Sequence, residues 1–122
     1  MKPFTRMLLA VSVGLTALAL YSQTADAGRL GGPASAYGTV PAGESYYFDL
    51  ELNAGENTLV GITGNGQTIL NLYVYDTDGH VVLGTGKWDR KVAVISVYRA
   101  GFFRIVVQNM GQVDNSFMIG VN

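Results

Sequence analysis

Ile69-Leu70-Asn71-Leu72-Tyr73-Val74-Tyr75 runs directly into Asp76-Thr77-Asp78-Gly79. In the first stretch Leu70, Leu72 and Val74 share one parity, and Asn71, Tyr73 and Tyr75 share the other. Side chains alternate across a strand with period two, so one face is apolar and the other polar and aromatic. The second stretch is turn chemistry. Asp78-Gly79 offers the positive-φ positions of a tight hairpin, with residues 81–84 returning beside the first strand.

The same pattern extends outward. Residues 44–52 alternate, with Tyr46, Phe48, Leu50 and Leu52 toward a core and Tyr47, Asp49 and Glu51 toward solvent. Shorter runs follow at 37–40, 58–63, 92–97, 102–108 and 116–121, each closed by glycine, asparagine, aspartate or proline. Gly61 within its run marks a bulge or a close backbone contact. The β-branched run 92–97 is expected to be buried in part on both faces. No window holds a helical period. About eight short antiparallel strands predict an all-β sandwich or barrel.

The chain begins differently. Lys2 and Arg6 precede an apolar run from Met7 to Leu20, and Ala25-Asp26-Ala27 follows a short polar stretch. Charge, apolar core and a small-residue A-x-A site are the three parts of a cleaved export signal. At about 1.5 Å per residue that apolar helix reaches roughly 21 Å, short of the ~30 Å hydrocarbon core. Residues 1–27 are therefore expected to be a signal peptide and the product to be secreted or periplasmic, with no stable membrane anchor. The Gly/Pro-rich stretch 28–35 is expected to be a flexible leader, and 36–122 a single domain.

Composition limits the function classes. The chain has no cysteine, so neither disulfides nor a lipidated N-terminal cysteine is available. Of its eight Lys and Arg residues, Lys2 and Arg6 lie in the leader. The remainder is weakly acidic and lacks the basic footprint of a nucleic-acid or anionic-membrane binder. Lys87-Trp88-Asp89-Arg90-Lys91 reads as a solvated, self-neutralising loop.

Three blocks, in order, resemble the bacterial pre-peptidase C-terminal domain family. They are Ser45-Tyr46-Tyr47-Phe48-Asp49-Leu50 with Ala54-Gly55-Glu56, Asn71-Leu72-Tyr73-Val74-Tyr75-Asp76 with Gly79, and Ala100-Gly101-Phe102-Phe103-Arg104-Ile105-Val106-Val107. The likeness spans Val40 to Val121 and implies a jelly-roll sandwich that serves secreted proteases as an accessory domain. Ile69 and Asn71 stand near the places where that family's central strand opens with acidic residues, so no calcium site is expected on them.

Catalytic groups are sparse. His80 is the single histidine, it sits beside a turn, and no G-x-S-x-G occurs. Asp76 and Asp78 are where a turn needs aspartate. An EF-hand-like reading of that turn fails, because His80-Val81-Val82-Leu83 supplies no further acidic ligand. Distant acids such as Asp49 or Asp114 would have to complete a metal site. No enzyme, cofactor or metal is expected. The candidate ligand-binding residues are Tyr47, Tyr73 and Tyr75, which alternation places outward, and Trp88 in a charged loop. Exposed tyrosine offers rigid apolar area with a hydroxyl, which suits polypeptide or polysaccharide, a secreted protease included. Ordinary cross-strand pairing accounts for the same tyrosines, and capping of a sandwich end for Trp88. A rival role is envelope assembly through a sheet edge or face.

The exported protein is expected to begin at Gly28. Intact mass of material from periplasm or medium checks this; a mass retaining the apolar segment would contradict it.

Overall fold

The structure, a computed structural model, describes residues 28–122. The expected signal peptide and its cleavage site lie outside the described residues. Ten strands form: β1 (Gly28–Arg29), β2 (Ala34–Val40), β3 (Ser45–Asn53), β4 (Gly55–Thr63), β5 (Leu70–Tyr75), β6 (Val81–Leu83), β7 (Thr85–Lys87), β8 (Arg90–Val97), β9 (Gly101–Asn109) and β10 (Asn115–Val121). They make two five-stranded sheets, a front sheet ordered β1-β3-β9-β5-β6 and a back sheet ordered β2-β10-β4-β8-β7. Every pairing is antiparallel.

Without the short strands β1 and β7, the sheets reduce to β3-β9-β5-β6 and β2-β10-β4-β8. That eight-strand order, with most connections crossing between sheets, is the jelly roll. The two additional strands come from stretches that look like loop in sequence. Gly28–Arg29 is no leader: it pairs with Asn53 and Leu52 of β3, and both residues are buried. Gly28 runs at φ 91° against the Asn122 carbonyl, where a side chain would collide. Its N–H donates to Thr58 Oγ1 at 3.0 Å. Burial lowers the pKa of the Arg29 guanidinium.

The expected solvated loop at 87–91 is a hairpin between β7 and β8. Asp89 is buried, and Lys91 is half-buried with its Nζ donating to Asn71 Oδ1 at 3.3 Å. Of the Asp78-Gly79 pair only Gly79 has positive φ, at 87°. The bulge in β4 falls between Gly55 and Thr58 rather than at Gly61. β8 buries one face only: Ala93, Ile95 and Val97 point inward, while Val92 and Val94 are exposed.

The core lies between the sheets. Tyr46, Phe48, Leu50 and Leu52 of β3 and Leu70, Leu72 and Val74 of β5 enter it, as alternation predicts. The back sheet contributes Val40, Val60, Ile62, Phe117 and Ile119. Tyr46 meets Phe48 and Phe117 edge-on, with centroids 6.2 and 5.3 Å away.

A buried polar cluster closes one end. Asn115 Nδ2 donates to Thr68 Oγ1 at 2.9 Å and to Asp89 Oδ2 at 3.3 Å. Asn115 Oδ1 accepts from the Asn65 N–H at 3.0 Å, and Asp89 Oδ2 from the Gly66 N–H at 2.6 Å. Asn109 Nδ2 reaches the carbonyls of Val40 and Val113 at 3.0 and 2.8 Å. These side chains stand in for the missing strand ladder over residues 64–69 and 110–114, where buried backbone groups would otherwise lack partners.

Asn115→Ala would orphan several of those groups at once. A loss of about 2–3 kcal/mol is expected, since each buried polar group left unpaired costs about 1–3 kcal/mol. Urea melts with an unchanged slope measure it. A loss under about 0.5 kcal/mol would show that the cluster is not what closes this end.

Candidate functional site

The outer surface of the front sheet is built by three strands far apart in sequence. β9 lies between β3 and β5, and its register fixes the rows across the sheet. Tyr47, Val106 and Tyr73 are Cα partners in one row. Asp49, Arg104 and Tyr75 form the next, and Ser45, Gln108 and Asn71 the row on the other side. Partners in a row point to the same face, so Tyr47, Tyr73 and Tyr75 come together.

Val106 occupies the middle of this group. It points outward yet is only 7% exposed, because Tyr47 and Tyr73 flank it. The Tyr73 and Tyr75 rings lie 6.5 Å apart and are tilted by 31°. Tyr73 donates its hydroxyl to Gln108 Oε1 at 3.1 Å. Arg104 donates from Nε and Nη2 to the two oxygens of Asp49, at 3.0 and 3.3 Å. Hydrogen bonding to Asp49 raises the Arg104 pKa above its ordinary value; burial works against this, and the charge of Asp49 adds to the rise. Tyrosines, arginine, Val106 and Gln108 line an open concavity of about 540 Å³. It offers aromatic faces, an apolar floor and a fixed guanidinium.

Trp88 is not part of this surface. It sits in the β7–β8 turn at φ 59°, half exposed, with Nε1 donating to the Gly66 carbonyl at 3.0 Å. Its own carbonyl accepts from the Leu70 N–H at 3.2 Å. It ties loop 64–69 to the hairpin beside the polar cluster. Arg104, Val106 and Gln108 were absent from the sequence-based set. Alternation in β9 marks them as outward, but only the order β3-β9-β5 puts them between the tyrosines.

Asp76, Asp78 and His80 bring their ligand-type atoms within 4.8 Å of one another, a spacing compatible with a metal ion. Asp76 is already engaged. Its Oδ1 accepts from the Asp78 and His80 N–H groups, each at 2.9 Å, and its Oδ2 lies 3.2 Å from His80 Nδ1. This is the hairpin turn that the sequence implies. Local desolvation raises the Asp76 pKa, but the backbone hydrogen bonds and His80 outweigh it and leave the value lowered.

No family model matches the chain, and no curated protein matches it. Solved structures do. The pre-peptidase C-terminal domain of a collagenase from Bacillus anthracis superposes with a TM-score of 0.61 at 11% identity, over 72% of this chain and 87% of that one. PliG from Aeromonas hydrophila, a periplasmic inhibitor of g-type lysozyme, gives 0.51 at 15% identity, over 82% and 92%. Salmonella Typhimurium PliG gives 0.50 at 9% identity, over 74% and 89%. At these identities the likeness is one of fold. The jelly-roll sandwich that the sequence resemblance implies is thus also the fold of a pre-peptidase C-terminal domain.

Because its folded pKa is lowered, Asp76 contributes to stability above the ordinary carboxyl range, and that contribution is lost as pH falls through the lowered value. In a carbon-detected NMR titration the Asp76 carboxyl should therefore titrate below the ordinary aspartate value. The Asp78 and His80 amides should move with the same midpoint. A midpoint at or above the ordinary value would contradict the hydrogen-bonding assignment.

Proposed function

We propose that this chain is an exported, non-enzymatic binding module of the pre-peptidase C-terminal type, which recognises an extended polypeptide through the tyrosine face of its front sheet. One observation carries the reading. Tyr47, Tyr73 and Tyr75, read as outward from two separate strands, converge around Val106 in one concavity.

The chemistry suits a peptide. Tyrosine gives rigid contact area at low entropic cost, and hot spots are enriched in tyrosine and arginine. Arg104 is pre-oriented by Asp49, so little ordering is needed for it to meet a backbone carbonyl or a carboxylate. The similar folds support the same direction: one is a domain of a collagenase and another an inhibitor of g-type lysozyme. An export signal at 1–27, as expected from the sequence, would put such a partner, a secreted protease among the candidates, in the periplasm or outside the cell.

Binding of the exported protein to fibrous protein is the test, with insoluble polysaccharide as the competing ligand. Tyr73→Ala combined with Tyr75→Ala should weaken retention on protein at least tenfold, since an aromatic anchor is worth about 2 kcal/mol or more. The same double variant should lose no more than about 2 kcal/mol of stability, the scale of two cross-strand pairs. Leu72→Ala, a core truncation, should lose about 2–5 kcal/mol. A folded double variant that binds as before would reduce the tyrosines to cross-strand packing. Retention on polysaccharide alone would replace the polypeptide with a glycan.

A further inference from the structure

The outer surface of the back sheet is a second, chemically different face. Its middle strand is β4, with β10 and β8 on either side and β2 and β7 at the edges. Three rows cross it. Tyr37, Met118, Thr63, Arg90 and Lys87 make the first. Ser35, Gly120, Gly61, Val92 and Thr85 make the second. Leu59 and Val94 pair in the third, beside Asn122, which hydrogen-bonds to Leu59.

This face is apolar and open. Tyr37 is 77% exposed and Val94 55%, and Leu59, Val92 and Met118 are each at least 40% exposed. Of the residues in these rows only Lys87 and Arg90 are charged. The centre is hollow, because Gly61 and Gly120 are neighbours across the β4–β10 pairing. A Cβ at Gly120 would meet no atom within 4 Å, and one at Gly61 would touch only Val92 and the Lys91 carbonyl, at 3.7 and 3.8 Å. Neither glycine has the positive φ that would explain its presence by backbone strain.

We propose that this face binds a second copy of the chain across a two-fold axis running along β4. Such an axis sets each strand against its counterpart at the same distance on the other side of β4. In the second row it places Val92 opposite Gly120, a projection against a hollow, with Gly61 facing Gly61. In the first row it places Lys87 opposite Tyr37 and Arg90 opposite Met118. The cations thereby meet an aromatic ring and a thioether rather than each other. The two Lys87 residues end up near opposite edges, about 19 Å apart at ~4.8 Å per strand, beyond the ~8 Å screening length at physiological salt. Ser35 faces Thr85, and Leu59 faces Leu59 beside the glycine pair. The face is therefore complementary to itself in size in one orientation, with no cation set directly against another.

Its area agrees. Five strands at ~4.8 Å spacing and about seven residues in length cover roughly 500–600 Å². Two copies would bury about 1,100 Å², near the lower bound of specific interfaces. A reversible dimer follows. The tyrosine faces of the two copies would point away from each other, making the assembly bivalent for any ligand of the front sheet. The dimer itself does not depend on that ligand.

Sedimentation equilibrium of the protein expressed from the full 122-residue frame, across micromolar to submillimolar concentration, is the experiment. A monomer–dimer equilibrium is expected. Gly120→Lys fills the hollow without a clash in the monomer and should weaken association at least tenfold while leaving the melting temperature nearly unchanged. Leu59→Lys provides the same reading should Gly120→Lys fail to fold. The absence of native cysteine makes Thr63→Cys, on β4 and hence on the same axis but outside the glycine hollow, a clean probe: a short bis-maleimide should join two copies through it, whereas Thr77→Cys, in the β5–β6 turn, should stay uncoupled. Wild-type protein that remains monomeric throughout would overturn the proposal. So would a dimer that survives both lysine variants, or one that couples through Thr77→Cys instead.

Discussion

The register of β9 is the constraint on which the rest of this structure depends. β9 is hydrogen-bonded on both sides, to β3 and to β5, so its position sets both neighbours at once. Inward it carries Phe103, Ile105 and Val107; outward it carries Arg104, Val106 and Gln108. The inward row Phe48, Ile105 and Val74 and the outward row Tyr47, Val106 and Tyr73 are adjacent rungs of one ladder. A slip of one residue would push Arg104 and Gln108 into the core and bring Ile105 out beneath the tyrosines. The apolar core, which resists burial of a charge at a cost of several kcal/mol, thus fixes the geometry of a surface that it never touches.

The second constraint is the polar end of the sandwich. Crossing between sheets requires loops, and loops 64–69 and 110–114 turn inward against it. Asn109 and Asn115, both at the ends of their strands and both fully buried, give the loop backbones their partners. Asp89 joins them from the β7–β8 hairpin, and Gly64 fits against Asp89 and Asn115 with no room for a side chain. Loop 64–69 is held by Asn115 of β10 and Asp89 of the β7–β8 turn, so the back sheet must be assembled before it orders. That couples the closing strand to the middle of the chain, as expected of a fold dominated by contacts distant in sequence.

Much of the fold was legible from alternation. β3 and β5 read directly, with each inward and outward position assigned, because one face is buried and the other is not. The strands that local pattern does not mark are those with weak alternation. β1 is two residues long and β7 is Thr85-Gly86-Lys87, and neither has an apolar residue to mark an inward side. Lys87 to Lys91 looked self-neutralising because composition cannot tell a solvated Asp89 from one that accepts hydrogen bonds in the interior. For the front face, sequence supplied three tyrosines but not their floor. Val106 looks like any other valine in an apolar run until the β3-β9-β5 order is known, and sheet order is a property of distant pairing rather than of local pattern. Trp88 is a candidate by sequence because it sits in a charged loop, but it belongs to the β7–β8 turn and bonds to the Gly66 carbonyl, away from the tyrosines of the front sheet.

The two outward faces answer to different physical demands. The front face intersperses its aromatics with Asp49, Glu51, Arg104 and Gln108, so it stays hydrated when empty. Its charged pair is satisfied internally at 3.0 Å, which holds the Arg104 guanidinium in place for a ligand. A face built in this way suits a partner that comes and goes. The back face sets Leu59, Val92, Val94 and Met118 around a glycine hollow and keeps its cations at one edge. Such a surface gains little from being wet and most from being covered, since each apolar Å² removed from water is worth about 25 cal/mol. The edge strand β2, Ala34-Ser35-Ala36-Tyr37-Gly38-Thr39-Val40, carries no charge to discourage strand addition, and its hydrogen-bonding groups lie in the plane of the sheet rather than on the covered face. Covering the back face therefore buries the apolar surface, and it leaves the charged, aromatic front face as the side available to other molecules.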